Sequence, residues 1–185
     1  MNHCKTISFW DIYYQQPIDR IPWQHTQADW FKDLVDRNIL TGTTAIDLGC
    51  GTGQKAIYLA QRTKFSTVLG VDIAPQAIKI AQDNARQVGA DPQCRFIVGN
   101  IANWDFLAPK ITFDLIIDWA AIHCLPPECY PDYAQSINIH SRPGTQFLLR
   151  FFSNDSGAEK FTETVAGADS EVYYLSPKKD NRIIS

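Results

Sequence analysis

The run AIDLGCGTG from Ala45 to Gly53 constrains this chain more than any other feature, because an apolar stretch is broken by glycine at positions 49, 51 and 53. Glycine accepts the strained backbone of a sharp turn and carries no side chain that would hold a ligand off the main chain. The expected local structure is a strand, a turn lined by backbone, and a helix. Dinucleotide-binding folds place their third glycine three residues after the second, so that a pyrophosphate rests on the helix N-terminus; here the spacing is G-x-G-x-G. Asp47, two residues ahead of the first glycine, also argues against a phosphate guest. A carboxylate aimed into an anion cradle repels an anion and suits an ammonium.

Asp72 closes a second apolar run, 67–72 (TVLGVD), where the second strand of a βαβ unit delivers a carboxylate to ribose hydroxyls. Taken alone, an acid after a strand is more often a helix N-cap than a ligand; its pairing with the glycine turn reverses that preference. With Asp47, Gly49, Gly51 and Gly53 matching acid-x-G-x-G-x-G, the chain resembles the class I S-adenosylmethionine-dependent methyltransferases. The resemblance implies that Asp47 and the turn Gly49-Cys50-Gly51-Thr52-Gly53 hold the methionine portion of the cofactor. It further implies that Asp72 takes the ribose hydroxyls, that Ile73 covers one face of the adenine, and that Asn100 and Ile101 reach the adenine edge. Trp104 either walls off the adenine or is a core tryptophan. Cys50 reads as a small side chain that fits the turn.

Five β-like runs (43–48, 67–72, 94–100, 113–118 and 145–152) alternate with helical patterns at 54–62, 75–88 and 128–140. Near-continuous apolar strands separated by helices predict a doubly wound, Rossmann-like α/β fold, with a mostly parallel sheet, helices on both faces and a site at the C-terminal ends of the strands. Residues 1–185 read as a single domain. Residues 1–40 form an aromatic-rich arm or lid with Phe9, Trp10, Tyr13, Tyr14, Trp23 and Trp30; residues 41–152 form the cofactor-binding core; residues 153–185 are irregular. Family members finish the sheet with an antiparallel hairpin. In this tail only 172–175 and 182–184 look strand-like, so an incomplete hairpin is expected.

A net charge of −3, with Lys and Arg scattered along the chain, leaves no basic footprint for a phosphate backbone. No apolar run is long enough to span a bilayer and no signal peptide is recognisable, which predicts a cytoplasmic protein without membrane or nucleic-acid partners, as a monomer or homodimer. Five cysteines without metal-ligand spacing predict reduced thiols and no metal site.

The fourth strand runs into Asp118-Trp119-Ala120-Ala121-Ile122-His123-Cys124-Leu125-Pro126-Pro127. Strand followed by D-x-x-x-x-H-x-L-P-P resembles the small-molecule branch that includes the thiopurine and tellurite-resistance methyltransferases. Pro22-Trp23 is similar to a Pro-Trp pair that this branch places near the cofactor. The resemblance makes Asp118 and His123 the candidate bases or orienting groups beside the transferred methyl, with Asp118 and Trp23 also near the cofactor. The Asn/Asp-Pro-Pro-Tyr motif that orients exocyclic amines of bases does not occur at this strand end.

The leading expectation is transfer of a methyl group from S-adenosylmethionine to a small-molecule acceptor such as a sulfur or other chalcogen nucleophile, leaving S-adenosylhomocysteine. Two alternatives stay open at this point: a methyltransferase-like protein that binds the cofactor without turnover, and an NAD(P)-dependent oxidoreductase on a similar sheet.

Overall fold

A computed structural model describes residues 7–17, 20–21, 30–151, 160–165 and 168–173. Two short helices, α1 (Ile7–Tyr13) and α2 (Trp30–Asp36), precede the alternating part of the chain. That part runs β1 (Thr44–Leu48), α3 (Gln54–Arg62), β2 (Thr67–Asp72), α4 (Pro75–Gln87), β3 (Cys94–Val98), β4 (Leu115–Trp119), α5 (Tyr130–Ile139) and β5 (Gln146–Arg150). The five strands form one sheet in the order β3-β2-β1-β4-β5, and every pairing is parallel. This is the doubly wound α/β architecture expected from the sequence.

Alternation along each strand decides which layer a residue joins. Ala45, Val68, Leu115 and Ile117 face a core closed by Phe31 and Val35 of α2, Ala56 and Leu59 of α3, and Ala81 and Ala85 of α4. Ile46, Leu48, Val71 and Ile116 face the opposite layer, which is filled by Tyr133 and Ile137 of α5 together with Trp104 and Phe113. Because both faces are covered, the central strands read as continuous apolar runs. None of the described helices is long and apolar enough to cross a membrane.

The two ends of the sheet are built differently. At the N-terminal end, Asp114 accepts from the Thr43 N–H (2.8 Å) and the Thr44 N–H (3.1 Å) and pairs with Arg142. These donors, the Thr43 amide foremost, hold its carboxyl well below the usual carboxylate range. At the C-terminal end the chain order reverses between β1 and β4, the point where such sheets open a crevice for ligands.

The N-terminal arm is tied to that open end. Phe9, Tyr13, Tyr14 and Ile21 bury themselves with Ala74 and Ala77. Helix α4 starts on Pro75 without a side-chain cap from Ala74. Asp11 of α1 supplies the missing acceptor, receiving the Gln76 N–H at 3.0 Å. An acid in the first turn of α1's neighbour would have been the local solution; this chain borrows one from another helix.

Three expectations are corrected. The tail contains a formed hairpin, β6 (Lys160–Val165) antiparallel to β7 (Ala168–Tyr173), but it is a separate two-stranded sheet. Its strands, KFTETV and ADSEVY, are mostly polar, a composition that hides among loops. β7 lies against α1 and the turn after β4. Residues 182–184 lie outside the described residues, as do Pro22, Trp23 and His25. Strand ends move by up to two residues, and α5 begins at Tyr130 because residues Pro127–Cys129 form a separate 3-10 turn. Finally, Cys129 is disulfide-bonded, against the expectation of reduced thiols throughout.

Candidate cofactor and acceptor site

Gly49, Gly51 and Gly53 have φ of 65°, 53° and 78°, the left-handed region that side chains rarely tolerate. Beyond that shared requirement, each is held small by a different neighbour. A Cβ on Gly49 would meet the Ala121 Cβ at 2.4 Å, and one on Gly51 the Tyr14 hydroxyl at 2.7 Å. On Gly53 it would meet the Phe96 ring at 2.8 Å and Ala81 at 2.9 Å. Gly49 thus lets the turn meet the loop after β4, Gly51 lets it meet the arm, and Gly53 lets α3 settle against β3 and α4. Cys50 anchors the turn through its N–H to Val71 O (2.9 Å), and its thiol points toward Gly70. Burial raises that thiol well above its ordinary pKa, so it stays protonated.

Three buried carboxylates surround this turn, one from each of three neighbouring strands. Asp72 accepts from the Gly51 N–H at 2.9 Å and from the Ala74 N–H at 3.0 Å, which fixes the turn and the start of α4 together. Asp118 is wholly buried; it accepts from the Ala121 N–H (2.7 Å), the Ile122 N–H (3.2 Å) and the Tyr133 hydroxyl (2.7 Å). Asp47 is 2% exposed, and its Oδ2 has no hydrogen-bond partner among the described residues. Burial raises all three carboxyls, Asp47 to about 7 and Asp118 to about 6. At Asp47 the nearby Lys55 pulls down while Asp118 and Asp72 push up further. A cluster of this kind favours the arrival of a cation.

The end of β4 forms the other wall. Ala120 has φ 73°, a conformation that costs on the order of 1–2 kcal/mol for a residue with a side chain. It turns the chain so that Ala121 reaches Gly49 and Asp118 caps the 3-10 turn Ile122–Cys124. His123 on that turn is buried; burial first and the Arg150 charge second lower its pKa to about 4, so the ring is neutral at pH 7. Trp119 packs on Phe31 and lies beneath two cations, Lys55 Nζ at 5.1 Å and the Arg150 guanidinium at 5.4 Å from the ring centroid.

The remaining sequence candidates sit on the loops after β2 and β3. Ile73 is half-buried beside Asp72. Asn100 Oδ1 accepts from the Ala102 N–H (2.9 Å), and Ile101 is buried in the core below. Trp104 donates from Nε1 to Ile101 O (2.8 Å) and stacks on His140, so its ring supports the 100–104 loop from inside the core. Trp23 lies outside the described residues. Sequence reasoning did not single out Tyr14, Lys55, Tyr133 or Arg150. Tyr14 belonged to a conspicuous aromatic run and Lys55 to the first turn after the glycines, but Tyr133 and Arg150 carried no local signal.

A family model described as a methyltransferase domain matches residues 45–144. The chain belongs to this family. Its match to the 2-heptyl-1-hydroxyquinolin-4(1H)-one methyltransferase of Mycobacteroides abscessus is 33% identical over 140 residues, 75% of this chain and 59% of that protein. With thiocyanate methyltransferase 1 of Brassica oleracea it shares 29% identity over 144 residues, 77% of this chain and 61% of that protein. The chain therefore spans about three fifths of these curated methyltransferases. A crystal structure of a S-adenosylmethionine-dependent methyltransferase from Clostridium acetobutylicum superposes with TM-score 0.66 at 17% identity, covering 86% of this chain and 79% of that one, and shares the fold.

Proposed function

We propose that this methyltransferase-family chain moves the methyl group of S-adenosylmethionine to a small-molecule acceptor, with sulfur or another chalcogen as the attacking atom. The observation that carries the reading is the unpartnered, buried Oδ2 of Asp47 next to a turn of three left-handed glycines. A buried acceptor without a donor is costly unless a ligand supplies one. An amino-acid ammonium does so, and the two further carboxylates favour the sulfonium charge. A pyrophosphate would instead face the Asp47 carboxylate, which disfavours the oxidoreductase alternative.

The cofactor supplies an electrophilic methyl group, so the protein's work is placement and exclusion of water. Asp47 would hold the ammonium, Gly49 and Gly51 would let the ligand touch backbone, and Asp72 would accept from the ribose with the lone pairs left over by Gly51 and Ala74. Asp118, both of whose oxygens accept from protein donors, would act as a positioning residue for the wall that ends in His123. Replacing Asp72 by Ala is expected to weaken cofactor binding by about 2 kcal/mol or more, combining lost ligand bonds with a loosened turn; an unchanged Kd in calorimetry removes Asp72 from the site.

Turnover separates this reading from cofactor binding alone. Incubation with methyl-labelled cofactor and a panel of thiols, thiocyanate, selenite, tellurite, halides, thiopurines, amines and carboxylic acids is expected to label a chalcogen acceptor. Tight binding of S-adenosylhomocysteine with no labelled product from any acceptor would leave a binding protein.

A further inference from the structure

A row of side chains across the ends of β1, β4 and β5 runs from a buried carboxylate to two cations that share one indole. Asp47 is followed by Lys55, whose charge acts on it; Lys55 lies over Trp119; Arg150 lies over the same ring and acts in turn on His123. Arg150 is in register with Trp119 across the β4–β5 pair, and its carbonyl receives the Ala120 N–H at 2.9 Å. Its exposed guanidinium therefore stands at the C-terminal rim, between the strained turn of β4 and the histidine, on the side away from Asp72.

Neither of the two candidate bases beside this rim is set up to take a proton. Asp118 has both carboxylate oxygens committed to protein donors, and burial leaves the His123 ring too weak a base to hold a proton at pH 7. An acceptor that must lose a proton during attack is poorly served there. An acceptor already ionised needs none, and it needs a cation to receive it against three nearby carboxylates. A planar guanidinium resting on an indole is suited to that, since it is weakly hydrated and offers several donors in one plane.

We infer that the acceptor arrives as an anion and that Arg150, resting on Trp119 at the rim of β4 and β5, is its recognition residue. The inference rests on the methyl-transfer reading above. The acceptor's lone pair forms the new bond to the methyl carbon while the carbon–sulfur pair returns to sulfur. The negative charge of the acceptor and the positive charge of the sulfonium cancel, and no proton is left over.

The test uses the full chain saturated with S-adenosylhomocysteine and titrated with thiobenzoate, benzoate and neutral benzamide. Both anions are expected to bind the native protein at least tenfold more tightly than Arg150→Gln, with Arg150→Lys between them and benzamide the same in all three. The affinity of each variant for S-adenosylhomocysteine is expected to stay unchanged, which also shows that they fold. Anion affinity that is absent, or equal in the native protein and Arg150→Gln, overturns the inference. Failure to bind S-adenosylhomocysteine at all would instead overturn the methyl-transfer reading.

Discussion

Asp47→Asn is expected to separate stability from binding, making the unliganded protein more stable at pH 8 while raising the Kd for S-adenosylhomocysteine by 30-fold or more, on the order of 2 kcal/mol for a lost charge-assisted bond. The cause is the same in both directions. Burial lifts this carboxyl from 3.8 to about 7, so folding favours its protonated form. Its stabilising contribution is complete below about pH 4 and is lost as pH rises through about 7, a difference of at most about 4 kcal/mol. An amide has no such loss, so thermal melts of the two proteins should converge below about pH 4, separate progressively between about pH 4 and 7, and stay apart above neutrality. Cofactor affinity should run the other way. An ammonium needs the carboxylate, so native affinity should rise with pH up to about 7 and level off, while Asp47→Asn stays flat. If the variant binds with native Kd at pH 8, Asp47 does not hold the ammonium.

Gly51→Val should abolish detectable cofactor binding. The residue sits at φ 53°, which a β-branched side chain resists, and its Cβ would lie 2.7 Å from the Tyr14 hydroxyl. Strain of this kind costs about 1–3 kcal/mol, so the fold should survive with a lowered Tm. The milder pair Gly51→Ala and Gly51→Ala with Tyr14→Phe shows where the loss comes from. Removing the hydroxyl relieves the clash with the arm but leaves the added methyl on the turn. Continued loss of binding in the double variant supports contact between the turn and the cofactor; recovery to native Kd would assign the defect to a displaced Tyr14.

Much of the frame was readable from local pattern. The glycine spacing and the apolar runs led to the strand–turn–helix at Ala45 to Arg62, and α3 spans Gln54–Arg62, the segment that its periodicity marked. Helix α4 starts at Pro75 as expected, though its capping acid comes from Asp11 of α1. The β6–β7 hairpin escaped because Lys160–Val165 is mostly polar, and a two-sided polar strand resembles a loop until its partner is known. Asp118 read as a group facing the acceptor; its three donors come from Ala121, Ile122 and Tyr133, the last fifteen residues away on α5.

By itself the sequence determined the backbone-lined turn, the acids that flank it, the parallel sheet and the end of that sheet where a ligand would lie. Those features follow from short-range rules: left-handed conformations need glycine, buried parallel strands need continuous apolar runs, and crossovers have one hand. Which oxygen of three carboxylates is left without a donor, which aromatic ring closes over Gly51, and which cation reaches the rim of β4 were decided by packing between segments far apart in the chain. Burial, charge and hydrogen bonding are sums over neighbours in space, and local periodicity holds no record of them.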